Sequence, residues 1–416
     1  MDNVTQLKMK VNQLINSNEI STPCLVMGLD LIDKKFSLLK EILSNVEIYF
    51  SVKSNPDSIV LSHLRYLGSS FEAASLGEIQ QCMEIGGLST QLHFGNSIKK
   101  REEIAQAYEL GIRSFSVDSE QEVLKVAEMA PGSLIMVRLS TDGNGAVWGL
   151  SKKFGTSVAR ATQLLKLARS CDLVPYGLSF HVGSQQQNAD AWAAALKNCE
   201  VVISELKKDG IKLNAINLGG GLPANGYMDH DEVVDFDLVS YLKTIKKHID
   251  QFEENCGSQF KFMIEPGRFI VANTGVVVSK VLLTAKREFD NGIENWVYMD
   301  VGKFNGLYEA SDIQLPIHLL DDVNLHTMQD IVSTVLSGPS CDSDDMLLPP
   351  NTTIVLPSSL KEGDHLLFGS TGAYSNSYAT QNFNGFKPIS VVCVDKNGDL
   401  VEKEKTVTPS IHKIAI

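Results

Sequence analysis

Lys53 closes an apolar run in Tyr49-Phe50-Ser51-Val52-Lys53-Ser54-Asn55-Pro56, and it is the first residue of this chain whose position suggests chemistry. An ammonium at the end of a buried strand must find a partner, reach water or react. Desolvation lowers a lysine pKa and frees the amine as a nucleophile, so Lys53 is expected to form a Schiff base with any aldehyde held beside it; the alternative is a strand-end lysine that simply reaches water. Other segments carry comparable groups. Phe71-Glu72-Ala73-Ala74-Ser75-Leu76-Gly77-Glu78 supplies two carboxylates and a hydroxyl. Gly219-Gly220-Gly221 follows the apolar Ile216-Asn217-Leu218, and consecutive glycines let backbone N–H groups cradle a phosphate, although such triplets also make plain turns. Glu265-Pro266-Gly267-Arg268 offers a carboxylate able to keep a ring nitrogen protonated, or else a core ion pair between Glu265 and Arg268. His181 in Phe180-His181-Val182-Gly183-Ser184 has no second histidine or cysteine at ligand spacing, so no metal site is expected there. Gly338-Pro339-Ser340-Cys341-Asp342-Ser343-Asp344-Asp345 joins a thiol to acidic groups. It lacks the alternating ligands and closing glutamate of a calcium loop and better fits a proton donor beside acids that receive a cationic substrate, with Asp344 read as a solvated turn residue.

The elements that must position these groups follow from alternation. From about residue 47 to about residue 265, short apolar runs begin near Glu47, Ser70, Gln91, Arg113, Ser133, Tyr176, Leu213 and Phe260. Amphipathic stretches at 98–110, 119–129, 157–170, 188–208 and 232–255 separate them, which predicts repeated β-α units and a parallel sheet. Eight units predict a (β/α)8 TIM barrel, whose active site lies at the C-terminal strand ends. Those ends carry Lys53, Glu72 with Ser75, Asn96, Asp118, Arg138, His181, the 219–221 glycines and Glu265. After Glu265 the rhythm changes to extended runs at Gly275–Ala285, Trp296–Val301, His365–Phe368 and Ile389–Val394, with a hairpin signal at Asp395-Lys396-Asn397-Gly398-Asp399. An all-β C-terminal domain is therefore expected, with the run Cys24–Met27 packing onto or joining it. The expected division is a barrel at 29–272 and a β-domain formed by 1–28 plus 273–416, carrying the Cys341-Asp342 loop.

Composition narrows the class. Hydrophobic residues make up 43% and charged residues 21%, an ordinary balance for a folded soluble chain. The net charge of -13 disfavours nucleic acid or an anionic membrane surface as partner and mildly favours a cationic small substrate. Seven scattered cysteines without a Cys-x-x-Cys pair point to a reducing, cytoplasmic setting and against a structural zinc. No basic segment followed by an apolar run marks a signal peptide, and no stretch is long enough to span a membrane.

Taken together, these motifs with Gly372-Ala373-Tyr374 resemble the fold-type III, group IV pyridoxal-phosphate (PLP) decarboxylases, most of all the ornithine decarboxylases of the bacterial ornithine/lysine type. The resemblance runs over nearly the whole chain. It implies that Lys53 tethers PLP, that His181 stacks on the ring and that Glu265 pairs with the ring nitrogen. It further implies that Ser184, Gly219, Gly220, Gly221, Arg268 and Tyr374 hold the phosphate, that Gly267 also contacts the cofactor, and that Glu72, Glu78 and Arg138 line the ring and support the residues touching it. It implies a homodimer with shared sites, in which the partner subunit supplies Cys341 as proton donor and Asp342 as ligand of the distal ammonium, and in which Lys153 and Asp345 form a cross-subunit ion pair. Asp312 is the best match for a second ammonium ligand, with Glu309 as rival, and Phe383 is a further substrate contact. The implied reaction is decarboxylation of a basic L-amino acid, ornithine to putrescine in polyamine biosynthesis. Lysine or a modified diamino acid is the alternative. The Cys341-Asp342 pair argues against diaminopimelate, and the retained cofactor residues argue against an inactive, antizyme-inhibitor-like binding protein.

Overall fold

The computed structural model describes residues 3–150, 152–229, 232–290, 292–320, 330–347 and 354–402. Eight parallel strands close a barrel in chain order: Val46–Ser51, Ser70–Ala73, Leu92–Phe94, Ser114–Val117, Leu134–Arg138, Val174–Ser179, Ala215–Asn217 and Lys261–Ile264. Closure is made by the last strand pairing with the first, Phe262 opposite Val46 and Ile264 opposite Ile48. Period-two alternation explains the two faces of each strand. Phe50, Phe71, Phe94 and Phe115 point outward into the apolar layer shared with the helices, whereas Tyr49, Met136, Ala215 and Met263 pack as a separate interior cluster. Burying each such phenylalanine side chain contributes roughly 1.5–3 kcal/mol to this outer layer.

The helices lie close to their sequence expectation: Arg101–Glu109, Glu120–Met129, Val158–Ser170 and Asp190–Lys208. The stretch 232–255 is the exception. Its first residues, Glu232–Val233, pair antiparallel with Met228–Asp229, and the helix begins at Leu238 because the Asp237 side chain accepts from the Ser240 N–H at 3.0 Å. An N-cap aspartate satisfies an orphan donor and fixes the start of the helix, which the apolar periodicity alone did not locate.

After the barrel comes a largely antiparallel sheet built on the long strand Gly275–Phe289, which pairs with Gly292–Met299 and with His365–Phe368. Cys24–Gly28 joins this sheet, antiparallel to the long strand and parallel to Ser390–Val394. The chain thus enters through the β sheet, runs the barrel and returns to the same sheet. Helix Asn3–Asn16 covers it by packing Leu7, Val11 and Leu14 against Val26, Val276, Val278 and Leu367. The 395–399 segment turns as its sequence predicts, with the Asp395 N–H donating to the Asp399 carbonyl at 3.0 Å. Among the described residues no helix is long and apolar enough to cross a membrane.

Candidate active site

The first barrel strand stops at Ser51, and the tight turn Val52–Ser54 carries Lys53 over the C-terminal mouth of the barrel. There it enters a cavity of about 800 Å³ that also receives Glu72, Asn96, Arg138, His181 and Glu265 from five other strand ends. Six residues scattered over more than two hundred positions of sequence meet because each terminates a strand of one closed barrel. Asp118, the fourth strand's residue, instead accepts from the Gly155 N–H at 2.9 Å and so anchors the loop that follows the fifth strand.

The charges in this cavity constrain one another. Lys53 Nζ lies 3.7 Å from Glu72 Oε2, and the Glu72 charge raises the Lys53 pKa above its ordinary value, outweighing burial. This corrects the sequence expectation that desolvation would free the amine: a buried carboxylate nearby favours the ammonium more than dehydration disfavours it. Glu72 is itself fixed by the Ser51 hydroxyl, which donates to Oε2 at 3.0 Å. Burial, with the like charge of Glu72, pushes Glu265 up to about 7, against the opposing effects of an Asn217 amide donating at 2.5 Å and of Lys53 and Arg138. Burial also brings His181 down to about 3, assisted by Arg138 and Lys53. The Gly183 N–H donates to His181 Nδ1 at 3.0 Å, so the ring is neutral with its proton on Nε2. Glu78 sits just outside, pushed up to about 7 by burial while accepting from the Ala74 N–H at 2.6 Å.

The glycine run is shaped for close approach. A Cβ at Gly219, where φ is +65°, would lie 1.9 Å from the Phe180 carbonyl oxygen, and one at Gly221, where φ is +113°, would lie 2.4 Å from the Gly183 oxygen. A Cβ at Gly220 would stand 3.2 Å from His181 Nε2. Among the described residues the N–H groups of Gly220 and Gly221 donate to no other group, and both residues line the cavity. Ser184, Gly267, Arg268 and Tyr374 line it too. Arg268 does not pair with Glu265. Its guanidinium grips Glu309 through two bonds, Nη1 to Oε2 at 2.6 Å and Nη2 to Oε1 at 2.7 Å. A lysine, a facing carboxylate, a neutral histidine, and free backbone donors beside an arginine make up a donor set that fits pyridoxal phosphate: an amine for the aldehyde, an acid for the ring nitrogen, a flat ring for the face and a cationic nest for the phosphate.

Of the expected substrate residues, Asp312 reaches the cavity within one chain, and so does its rival Glu309. Cys341, Asp342 and Phe383 do not. Those three lie near one another instead: the Cys341 N–H donates to Asn384 Oδ1 at 2.9 Å, in the short turn Phe383–Gly385, whose Phe383 ring packs 4.8 Å from Phe304. Asp345, which the resemblance pairs with a partner's lysine, is 1% exposed in its own chain. Its carboxylate accepts from the Lys303 N–H at 2.8 Å and the Ser340 N–H at 3.0 Å, so it shapes the Cys341 loop internally. Sequence reasoning missed the far wall of the cavity: Trp148, Leu150 and Phe154 from the loop after the fifth strand, and Tyr308 and Tyr378 from the β sheet side. Aromatic residues inside the glycine-rich stretch 143–155, too long for an ordinary β-α turn, were the signal available.

Comparison with known proteins agrees with this geometry. The family described as "Pyridoxal-dependent decarboxylase, pyridoxal binding domain" matches residues 29–272. The lysine/ornithine decarboxylase of Selenomonas ruminantium is 30% identical over 373 residues, covering 89% of this chain and 89% of that protein. Among solved structures, a lysine/ornithine decarboxylase from Vibrio vulnificus complexed with putrescine is 27% identical with a TM-score of 0.79, covering 92% of this chain and 98% of that one. The Paramecium bursaria Chlorella virus arginine decarboxylase bound to agmatine is 26% identical with a TM-score of 0.81, covering 93% of this chain and all (100%) of that one. With a pyridoxal-binding barrel and relatives matched along nearly their whole length, this chain belongs to the pyridoxal-dependent decarboxylases that act on basic amino acids.

Proposed function

We propose that the protein decarboxylates L-ornithine to putrescine, with L-lysine or a modified diamino acid as the alternative substrate. The observation that carries this reading is a single cavity joining Lys53, His181, Glu265 and the glycine nest to two further carboxylates, Glu309 and Asp312. When bound, pyridoxal phosphate supplies an aldehyde that condenses with amines and a ring that accepts the electron pair left by the departing carboxylate. The chain's residues do the rest. Lys53 Nζ would anchor the aldehyde carbon, and Glu72 Oε2, 3.7 Å away, holds that amine in place at the mouth of the barrel. Glu265 would hold a proton at the ring nitrogen, a role that suits a buried acid whose pKa burial pushes up to about 7. The neutral His181 ring would cover one face without adding a positive charge that would compete for the electron pair. Glu309 and Asp312, which line the same cavity, would favour an ammonium-tipped side chain.

Cys341 and Asp342 complete the proposal only if a second copy delivers them, since neither reaches the cavity of its own chain. We therefore propose a homodimer with shared sites. Mixing Lys53→Ala with Cys341→Ala chains should restore up to about a quarter of wild-type sites, as random exchange between symmetric subunits requires. No recovery after demonstrated exchange would place both residues in one chain's site. Carbon dioxide release measured over ornithine, lysine, arginine and diaminopimelate tests the substrate reading: the highest kcat/KM should fall on ornithine or lysine. A preference for diaminopimelate would overturn it.

A further inference from the structure

Gln185 is a buried glutamine in a conformation that glutamine rarely adopts. Its φ is +51°, in the left-handed region that favours glycine, and it is only 3% exposed. A residue held against that preference must be fixed by its surroundings, and strain of this kind gathers at functional sites. Its own amide does the fixing. Nε2 donates to the Ala224 carbonyl at 3.0 Å, and Oε1 accepts from the Ala224 N–H at 2.6 Å. The side chain thus pairs with both main-chain groups of one residue, as a neighbouring strand would, while the strand Ser184–Gln186 pairs its own backbone with Ala146–Trp148.

Both sides of this clamp adjoin the glycine run. Gln185 follows Ser184, which lines the cavity, and Ala224 closes the segment Gly219-Gly220-Gly221-Leu222-Pro223. The same segment is tied at two further points: the Gly219 N–H donates to Asn217 Oδ1 at 2.9 Å, and the Gly221 carbonyl accepts from the Gln186 N–H at 2.9 Å. Start, middle and end are therefore held, and none of these bonds uses the N–H groups of Gly220 and Gly221. A nest binds an anion only when successive N–H groups converge on one point, and glycines left to themselves leave that geometry as freely as they reach it. We propose that Gln185 is the positioning residue of this nest: its amide, locked onto Ala224, sets the direction of the Gly220 and Gly221 donors and thereby the grip on the cofactor's phosphate, a role that rests on the reading of the glycine run as the phosphate site. Gln185 itself does not line the cavity, so it acts through the backbone on either side of it.

The test compares pyridoxal phosphate with pyridoxal, which carries the same ring and aldehyde but no phosphate. Full-length protein freed of cofactor is titrated with each, and binding is followed by calorimetry and by visible absorbance. Wild type should prefer the phosphorylated form strongly. Gln185→Gly is the informative variant, because glycine accepts the left-handed backbone without strain while removing the clamp. It should unfold close to wild type and keep its affinity for pyridoxal, yet bind pyridoxal phosphate about tenfold or more weakly, the size expected when the two hydrogen bonds that aim the donors are lost. Gln185→Met fills the same space without a polar group; it should lose the phosphate preference in the same way and decides the matter if the glycine variant does not fold. An equal loss for both ligands, or no loss for either, would overturn the proposal. Gly221→Ala tests the nest itself, since a Cβ there would meet the Gly183 oxygen at 2.4 Å, and its phosphate preference should also fall. Preference lost in Gly221→Ala but kept in both Gln185 variants would remove Gln185 alone, whereas preference kept in all three would remove the nest reading with it.

Discussion

Lys53→Ala is expected to lower turnover by several orders of magnitude and to abolish the visible absorbance of covalently held cofactor, because the nucleophilic anchor is lost. The structure adds a consequence that motif reading does not supply. Glu72, 3% exposed, would lose the cation 3.7 Å from it and keep only the Ser51 hydroxyl, so Lys53→Ala is expected to be less stable as well as inactive. Lys53→Arg separates the two effects. Arginine keeps the positive charge toward Glu72 but cannot be deprotonated to attack an aldehyde, so stability should return while turnover stays lost. Carbon dioxide release and thermal unfolding of the two variants check this directly. An alanine variant retaining more than a few per cent of turnover would remove Lys53 from the centre of the mechanism.

The second large effect is expected at Asp342. Facing a buried ammonium across the subunit boundary, it would form half of a desolvated charge pair, and removing one partner of such a pair costs on the order of 3–5 kcal/mol. Asp342→Ala should depress kcat/KM for ornithine and lysine by at least about a hundredfold, with cofactor content unchanged because the residue stands apart from the glycine nest. Asp342 Oδ1 also accepts from the Asp344 N–H at 2.9 Å, so part of any loss could come from the turn itself. Asp342→Asn answers this: it keeps an oxygen acceptor for the turn and removes the charge, and it should lose nearly as much as alanine. Asp312→Ala should lose less, since Asp312 is exposed and Glu309 stands beside it. Intact ornithine and lysine turnover in Asp342→Ala would mean a substrate with a neutral or acidic tail.

How far the chain could be read before folding depended on the range of each determinant. Strand ends were legible because apolar runs, turn glycines and the polar residue that follows them are local: Lys53, Glu72, His181 and Glu265 were each identified from a handful of neighbours, and the barrel then placed them together. The sign of the Lys53 shift was not legible. It is set by a carboxylate one strand away, at a distance that no spacing rule gives. The pairing of Arg268 with Glu309 spans 41 positions and crosses from barrel to β sheet, so the nearer Glu265 was the natural but incorrect partner to consider. Asp345 and Asp342 look alike in an acidic turn, yet one is buried under backbone donors and the other exposed, a difference made by where Gly302 and Gly338 allow the chain to close on Asp345. The aromatic wall from Trp148 to Phe154 was hidden for another reason: the segment holds only the short strand Ala146–Trp148, paired with Ser184–Gln186, and has no apolar periodicity to mark it as part of a cavity.

The central claim is that Lys53 is the covalent anchor around which this cavity is built. Borohydride reduction of the cofactor-loaded enzyme, followed by proteolysis and mass mapping, tests it most directly, since reduction fixes the pyridoxyl group to whichever amine holds it. The modification should fall on Lys53, in the peptide containing Ser51-Val52-Lys53-Ser54-Asn55. A pyridoxyl group on any other lysine, including Lys152 or Lys153 at the cavity wall, would contradict the account.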